Sequence, residues 1–115
     1  MMRAHPHRLV TVQQISPTDL QKLLSNAAPA IVDVREDWEY AQAHLPNSIH
    51  IPMGKIPSRY QELDASKPVV VVCHHGSRSL QVVQFLEKKG FTSVSNLAGG
   101  LDAWAEQVDA SMPRY

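Results

Sequence analysis

The sequence predicts one α/β domain with a mainly parallel central sheet of about five strands and helices on both faces. Short apolar runs alternate along the chain with segments of helical periodicity. The runs 30–34 and 68–72 are apolar almost throughout, which is typical of strands covered on both faces. A chain of 115 residues can build one sizeable core but not two.

The first half of the chain is predicted to contain three strands and two helices. Ser16 and Pro17 are typical of the N-cap and first position of a helix, which we expect to end near Asn26. Asp37 is predicted to cap a short second helix through residue 43. The predicted strands of this half are 11–15, 30–34 and 48–51.

The second half is predicted to hold three helices and two strands, with Gly99-Gly100 forming a tight turn. The strongest helical pattern begins at Ser77 and is stopped by Gly90 as a C-cap. The predicted helices are 55–63, 77–89 and 101–108, and the predicted strands are 68–72 and 94–97. The domain is expected to span 11–108, with tails at 1–10 and 109–115.

Charge and composition exclude several classes of function. The 11 basic residues match the 11 acidic residues, which disfavours nucleic acid and acidic membrane surfaces as main partners. One cysteine cannot form an internal disulfide. No stretch approaches the roughly 18 apolar residues of a membrane span, and residues 1–10 do not resemble a signal peptide. We therefore expect a cytoplasmic protein.

The most informative segment lies where the central strand ends in Cys73. A short polar loop containing Gly76 follows, and a helix begins near Ser77. The backbone N–H groups of such a loop and the positive end of the helix converge on the sulfur and favour its anionic form. We therefore predict a reactive thiolate. An inert buried thiol is the alternative, but glycine, serine and arginine are poor core material.

Other polar residues of this edge are given supporting roles. Arg78 offers a planar cation that suits an oxyanion, and His74 and His75 add donors and partial charge. Two adjacent histidines in a tight loop seldom face one ion, so no metal site is expected. Asp33 and Arg35 end a neighbouring strand on one side and are expected to brace the sheet edge as an ion pair.

Three motifs carry a family resemblance. The segment Cys73-His74-His75-Gly76-Ser77-Arg78-Ser79 resembles the active-site loop of single-domain rhodanese-like sulfurtransferases. Residues 33–48 resemble the upstream motif of that family, with Ala43 where glycine is common, and residues 90–104 resemble its C-terminal signature. Together the motifs extend the resemblance over about residues 12–106.

The resemblance implies transfer of a sulfane sulfur through a persulfide on Cys73, without a metal or organic cofactor. The donor would be thiosulfate or another persulfide donor, and the acceptor cyanide or a thiol. By this reading Arg78 binds the sulfonate end of the donor. The other loop residues, His74, His75, Gly76, Ser77 and Ser79, would surround the substrate.

Three alternatives remain open at this point. A carrier that passes persulfide sulfur between proteins would use the same chemistry at Cys73. A non-catalytic binding or regulatory module of the same family is disfavoured, because such modules usually lose the cysteine. A cysteine phosphatase or arsenate reductase is also disfavoured, because those enzymes have a loop longer by one residue than the four that separate Cys73 from Arg78.

Overall fold

The computed structural model describes residues 13–26 and 29–115, and in them one parallel sheet of five strands in the order β1-β5-β4-β2-β3. This confirms the predicted α/β class. The strands are β1 (Gln14–Ile15), β2 (Ala30–Asp33), β3 (Ile49–His50), β4 (Val69–Val72) and β5 (Val94–Leu97). The helices are α1 (Pro17–Asn26), α2 (Asp37–Gln42), α3 (Ile56–Arg59), α4 (Ser77–Lys88) and α5 (Gly100–Gln107).

Helices cover both faces of this sheet because side chains alternate along each strand. Val69 and Val71 of β4 pack with the apolar side chains of α3 and α4. Val70 and Val72 pack on the opposite face with those of α1 and α5. The central strand is therefore buried on both sides, as its unbroken apolar run predicts.

Two local predictions are wrong. The N-cap of α2 is Glu36 rather than Asp37, because Glu36 and Glu39 satisfy each other's backbone N–H groups in a capping box. The helix expected over 55–63 is broken into α3 and two flanking 3-10 turns, Met53–Lys55 and Tyr60–Glu62. The break follows Arg59, whose φ of −125° departs from helical geometry.

The two expected tails have different outcomes. Residues 1–10, with the first residues of the strand expected over 11–15, lie outside the described part of the chain. Residues 109–115 are not a free tail, because the side chain of Met112 is buried beside α5 and that of Tyr115 reaches the carboxyl edge of the sheet. Within the described ranges, no helix has the length and apolarity needed to cross a membrane.

Candidate active site

Cys73 lies immediately after β4, on the face of the sheet that packs against α4. Val72 of β4 pairs with Asp33 of β2, so the ends of these two strands lie side by side. This is the carboxyl edge, where parallel α/β sheets bind their ligands. Cys73 has no exposed surface in this structure.

The loop after Cys73 turns back so that two backbone amides point at the sulfur. The N–H of Gly76 donates to Sγ at 3.1 Å, and the N–H of Ser79 donates at 3.3 Å. Gly76 directly precedes α4 and has a φ of +98°, a backbone conformation that residues with a side chain rarely adopt. Both N–H groups are therefore placed to donate to a sulfur atom that carries negative charge.

A third contact comes from the hydroxyl of Ser79, 3.2 Å from Sγ. This hydroxyl also donates to Oδ1 of Asn96, whose amide group is held by donation to the Gly76 carbonyl at 3.1 Å. The single hydroxyl hydrogen can therefore face either Asn96 or the sulfur, depending on whether Sγ is a thiol or an anion. Asn96 was not predicted as a site residue, because only the strand order places β5 beside the loop.

Arg78 points its guanidinium group toward α2, where it binds Glu39 through two hydrogen bonds of 2.7 and 2.9 Å. These bonds lower the pKa of Glu39 to about 2, against the opposing effect of burial, and raise the pKa of Arg78. A guanidinium has five N–H donors, so others remain for an oxyanion. Glu39 also accepts a 2.6 Å hydrogen bond from the Tyr115 hydroxyl.

Asp33 and Arg35 form a fully buried ion pair, with Nη2 of the arginine 2.8 Å from Oδ2 of the aspartate. Arg35 also donates to the Ala43 carbonyl at 2.7 Å and to the Tyr115 hydroxyl at 3.0 Å. Neither side chain hydrogen-bonds to Cys73. The pair thus ties β2 to the segment after α2 and to residue 115, which is a bracing role.

His74 and His75 differ in exposure although they are adjacent. His74 is buried and His75 is exposed. Burial lowers the pKa of His74, with the nearby His75 as the next cause, which disfavours a positive charge on this ring. Its ring stacks on that of Tyr115 with centroids 4.0 Å apart.

The N-terminus of α5 is hydrogen-bonded to the start of the loop. The N–H groups of Leu101 and Asp102 donate to the carbonyls of Cys73 and His74 at 2.8 and 2.9 Å. Gly100 allows this approach, because a Cβ there would lie 2.4 Å from the His74 carbonyl oxygen. The pattern that predicts a Gly99-Gly100 turn thus also positions the first two residues of the loop.

The structure therefore brings the predicted residues together in two groups. In the first group, Gly76 and Ser79 donate to the sulfur of Cys73. In the second group, Arg78 binds Glu39 and Arg35 binds Tyr115, and the Tyr115 hydroxyl donates to Glu39. The exposed side chain of Ser77 makes no hydrogen bond with the described residues. Glu39 and Tyr115, like Asn96, were not predicted, because only the tertiary fold brings them to this edge.

A model of the Rhodanese-like domain matches residues 16–107 of this chain. The chain belongs to the rhodanese-like domain family. Within the family it is similar to the putative sulfurtransferase YtwF of Bacillus subtilis, with 38% identity over 81% of this chain and 90% of that protein.

Two other relatives differ in the function that their names state. The rhodanese-like chain is 36% identical to the thiosulfate sulfurtransferase GlpE of Coxiella burnetii, over 80% of this chain and 86% of that one. It is also 36% identical to the putative sulfur carrier protein YrkF of Bacillus subtilis, over 77% of this chain and 48% of that protein. These relatives place the protein among sulfurtransferases or sulfur carriers at the level of the family.

The solved structures agree with the fold. A crystal structure of a rhodanese-like domain protein from Staphylococcus aureus superposes with a TM-score of 0.77 at 35% identity. The match covers 84% of this chain and 95% of that chain. The five-stranded parallel sheet with helices on both faces is therefore the rhodanese-like fold.

Proposed function

We propose that this protein transfers a sulfane sulfur from thiosulfate, or from another persulfide donor, to a thiophilic acceptor through a persulfide on Cys73. The observation that carries the proposal is the pair of backbone N–H groups on Sγ, at 3.1 and 3.3 Å. Each charge-assisted hydrogen bond contributes about 1.5–3 kcal/mol, so two favour an anionic sulfur substantially.

The proposed reaction has two displacements. In the first, the Cys73 thiolate attacks the outer sulfur of thiosulfate, a bond forms between the two sulfur atoms, and sulfite leaves with the electron pair of the broken bond. In the second, cyanide or a thiolate attacks the outer sulfur of the persulfide, and the Cys73 thiolate leaves. The charge stays on sulfur throughout, so the same donors serve both half-reactions.

Arg78 is proposed to bind the sulfonate end of the donor. Hydrogen bonds to Glu39 are the main cause that raises the pKa of Arg78, and the charge of Cys73 is a smaller cause in the same direction. Glu39 holds the guanidinium in one orientation with two hydrogen bonds, so little side-chain entropy is lost when an oxyanion binds the remaining N–H groups. No step of this reaction requires a metal or organic cofactor.

Steady-state turnover of thiosulfate and cyanide tests this proposal. The native protein is expected to form thiocyanate, and a Cys73→Ser variant is expected to have no activity above the uncatalysed rate. Turnover of an aryl phosphate by the native protein, with none of thiosulfate, would instead favour the cysteine phosphatase alternative.

A persulfide carrier is the second candidate, and similarity to the putative sulfur carrier YrkF favours it. The chemistry at Cys73 would be identical, and the donor and acceptor would be proteins. Slow turnover with thiosulfate beside fast sulfur transfer from a cysteine desulfurase would favour this candidate. A functional free thiol suits either role in a reducing compartment, which is why we infer a cytoplasmic location.

A further inference from the structure

Three side chains that can bind a metal ion lie close together, two in the loop after Cys73 and one in the first turn of α5. None of them is a reactant in the proposed sulfur transfer. One ring nitrogen from each of His74 and His75 and one carboxylate oxygen of Asp102 lie within 4.8 Å of one another. Ligands of a tetrahedral zinc ion, at about 2.0–2.2 Å from the metal, are roughly 3.4 Å apart. Small rotations of His75, which is exposed, and of Asp102, which is half-buried, would close this difference.

His74 provides a second, independent observation. Its side chain is 5% exposed, and neither Nδ1 nor Nε2 makes a hydrogen bond of good geometry among residues 13–26 and 29–115, although the backbone of Tyr115 lies close enough to raise the pKa of this ring. A buried polar group without a well-placed partner is destabilising, and a bound ion or water is the usual explanation for it. A metal ion between His74 and Asp102 would satisfy one of these nitrogens.

Backbone contacts fix the relative position of the ligands. The N–H of Asp102 donates to the His74 carbonyl at 2.9 Å, which ties the first turn of α5 to the loop. Arg114 donates to both carboxylate oxygens of Asp102, at 2.9 and 3.2 Å. Each oxygen keeps a further lone pair, so Arg114 orients the carboxylate while its charge weakens the attraction for a cation.

Contrary to the expectation from the sequence, we infer that His74, His75 and Asp102 form a binding site for a divalent transition-metal ion of the zinc type. Two imidazoles and one carboxylate suit zinc and its neighbours better than magnesium or calcium, which prefer oxygen ligands. Three protein ligands leave one position open to water or a small anion. The sulfur of Cys73 faces Gly76 and Ser79 and is not part of the ligand set.

The experiment is calorimetric titration of the folded protein with Zn²⁺, in a background that lacks the two N-terminal histidines and the thiol. His5→Ala and His7→Ala eliminate the two histidines of the N-terminal segment, and Cys73→Ser eliminates the thiol. Because Cys73 is absent, the result does not depend on sulfur transfer. We expect one zinc ion to bind per chain. In NMR spectra, we expect its binding to change the ring resonances of His74 and His75.

Single substitutions identify the ligands. We expect Asp102→Asn and His75→Ala each to weaken zinc binding at least about tenfold. His44→Ala is the matched control, because His44 is an exposed histidine outside the cluster, and we expect it to leave the affinity unchanged. The inference is overturned if the background protein binds no zinc, if Asp102→Asn and His75→Ala leave the affinity unchanged, or if the ring resonances of His74 do not respond.

Discussion

Gly76 serves two purposes in the loop that follows Cys73. Its N–H donates to the sulfur, and its positive φ lets the chain turn directly into α4. The space beside its Cα is also narrow, because a Cβ would lie 3.3 Å from the Gly99 nitrogen. The loop geometry therefore depends on the absence of a side chain at this position.

We predict that Gly76→Ala lowers the free energy of unfolding by about 1–2 kcal/mol and slows the alkylation of Cys73 at neutral pH. The strained φ and the short contact would shift the amide away from Sγ. Chemical denaturation and iodoacetamide kinetics measure the two effects. Gly54→Ala is the control, because a Cβ there meets nothing within 4 Å, and equal effects of both substitutions would contradict the account.

The hydroxyl of Ser79 is predicted to matter for both stability and chemistry. Ser79→Ala removes the donor to the buried oxygen of Asn96 and the 3.2 Å contact with Sγ. An unsatisfied buried acceptor costs about 1–3 kcal/mol, so we expect a loss of that size in denaturation, together with slower alkylation of Cys73. Ser58→Ala, at an exposed serine, is the control; a Ser79→Ala protein as stable and as reactive as the native one would refute this role.

Some residues of the site make their contacts within one short segment of the chain, and others contact residues that are far away in sequence. Cys73 and Gly76 could be predicted, because a strand end, a turn and a helix start are visible in a short segment. Glu39 and Asn96 could not, because each contacts the loop across a long separation in sequence. The contacts of Glu39 and Asn96 with the loop depend on how the strands are ordered in the sheet, which a single sequence does not specify.

At the scale of elements, the ion pair between Glu39 and Arg78 joins the first turns of α2 and α4. Glu39 belongs to the capping box of α2 and is nearly buried, and Arg78 is one-third exposed. Removing one member of such a pair leaves the other charge partly buried and unpaired. The orientation of Arg78 near Cys73 therefore depends on a residue of a different helix.

This ion pair predicts a pH dependence of stability. The folded-state pKa of Glu39 is about 2, below its ordinary value of 4.5, so its contribution is present above pH 4.5 and is lost as the pH falls toward 2. We expect the contribution to be roughly 2–3 kcal/mol. The native protein should lose this stability between these pH values, and Glu39→Gln should already lack it at pH 7.

Denaturation curves at several pH values test this expectation. Glu62→Gln is the matched control, since Glu62 pairs with Arg59 at an exposed site where solvent screens the interaction. We expect this control to follow the native pH profile closely. A Glu39→Gln protein that shows the same loss between pH 4.5 and 2 as the native protein would contradict the account.

The helices show where local signals suffice. Ser16 caps α1 as predicted, with its Oγ accepting from the N–H of Asp19 at 3.1 Å, because this contact involves neighbouring residues. The prediction of Asp37 as the cap of α2 is wrong, because Glu36 is held there by the capping box with Glu39. Strand positions were predictable from apolar runs, and their order was not.

At the scale of the whole molecule, the segment after α5 packs against the site. The hydroxyl of Tyr115 bonds to Arg35 and Glu39, and its ring stacks on His74. Residue 115 thus connects the ion pair of β2 with the ion pair of α2 and α4. Residues 109–115 have no helical or strand periodicity, so the sequence predicts only a tail there.

We predict that Tyr115→Phe lowers the free energy of unfolding by about 1–2 kcal/mol, because two hydrogen bonds to charged groups are lost. Thermal or chemical denaturation measures the change. Tyr60→Phe is the control, because the Tyr60 hydroxyl makes no hydrogen bond with the described residues while its ring packs on Phe85. Equal stability of Tyr115→Phe and the native protein would show that residue 115 does not tie these elements together.

The central claim is that the loop amides hold the Cys73 sulfur as an anion able to carry a second sulfur atom. Mass spectrometry of the protein after treatment with thiosulfate, without an acceptor, tests it most directly. We expect one added sulfur atom per chain, located on Cys73, absent in Cys73→Ser and removed by cyanide. An unchanged mass of the native protein, or an added sulfur that persists in Cys73→Ser, would contradict the account.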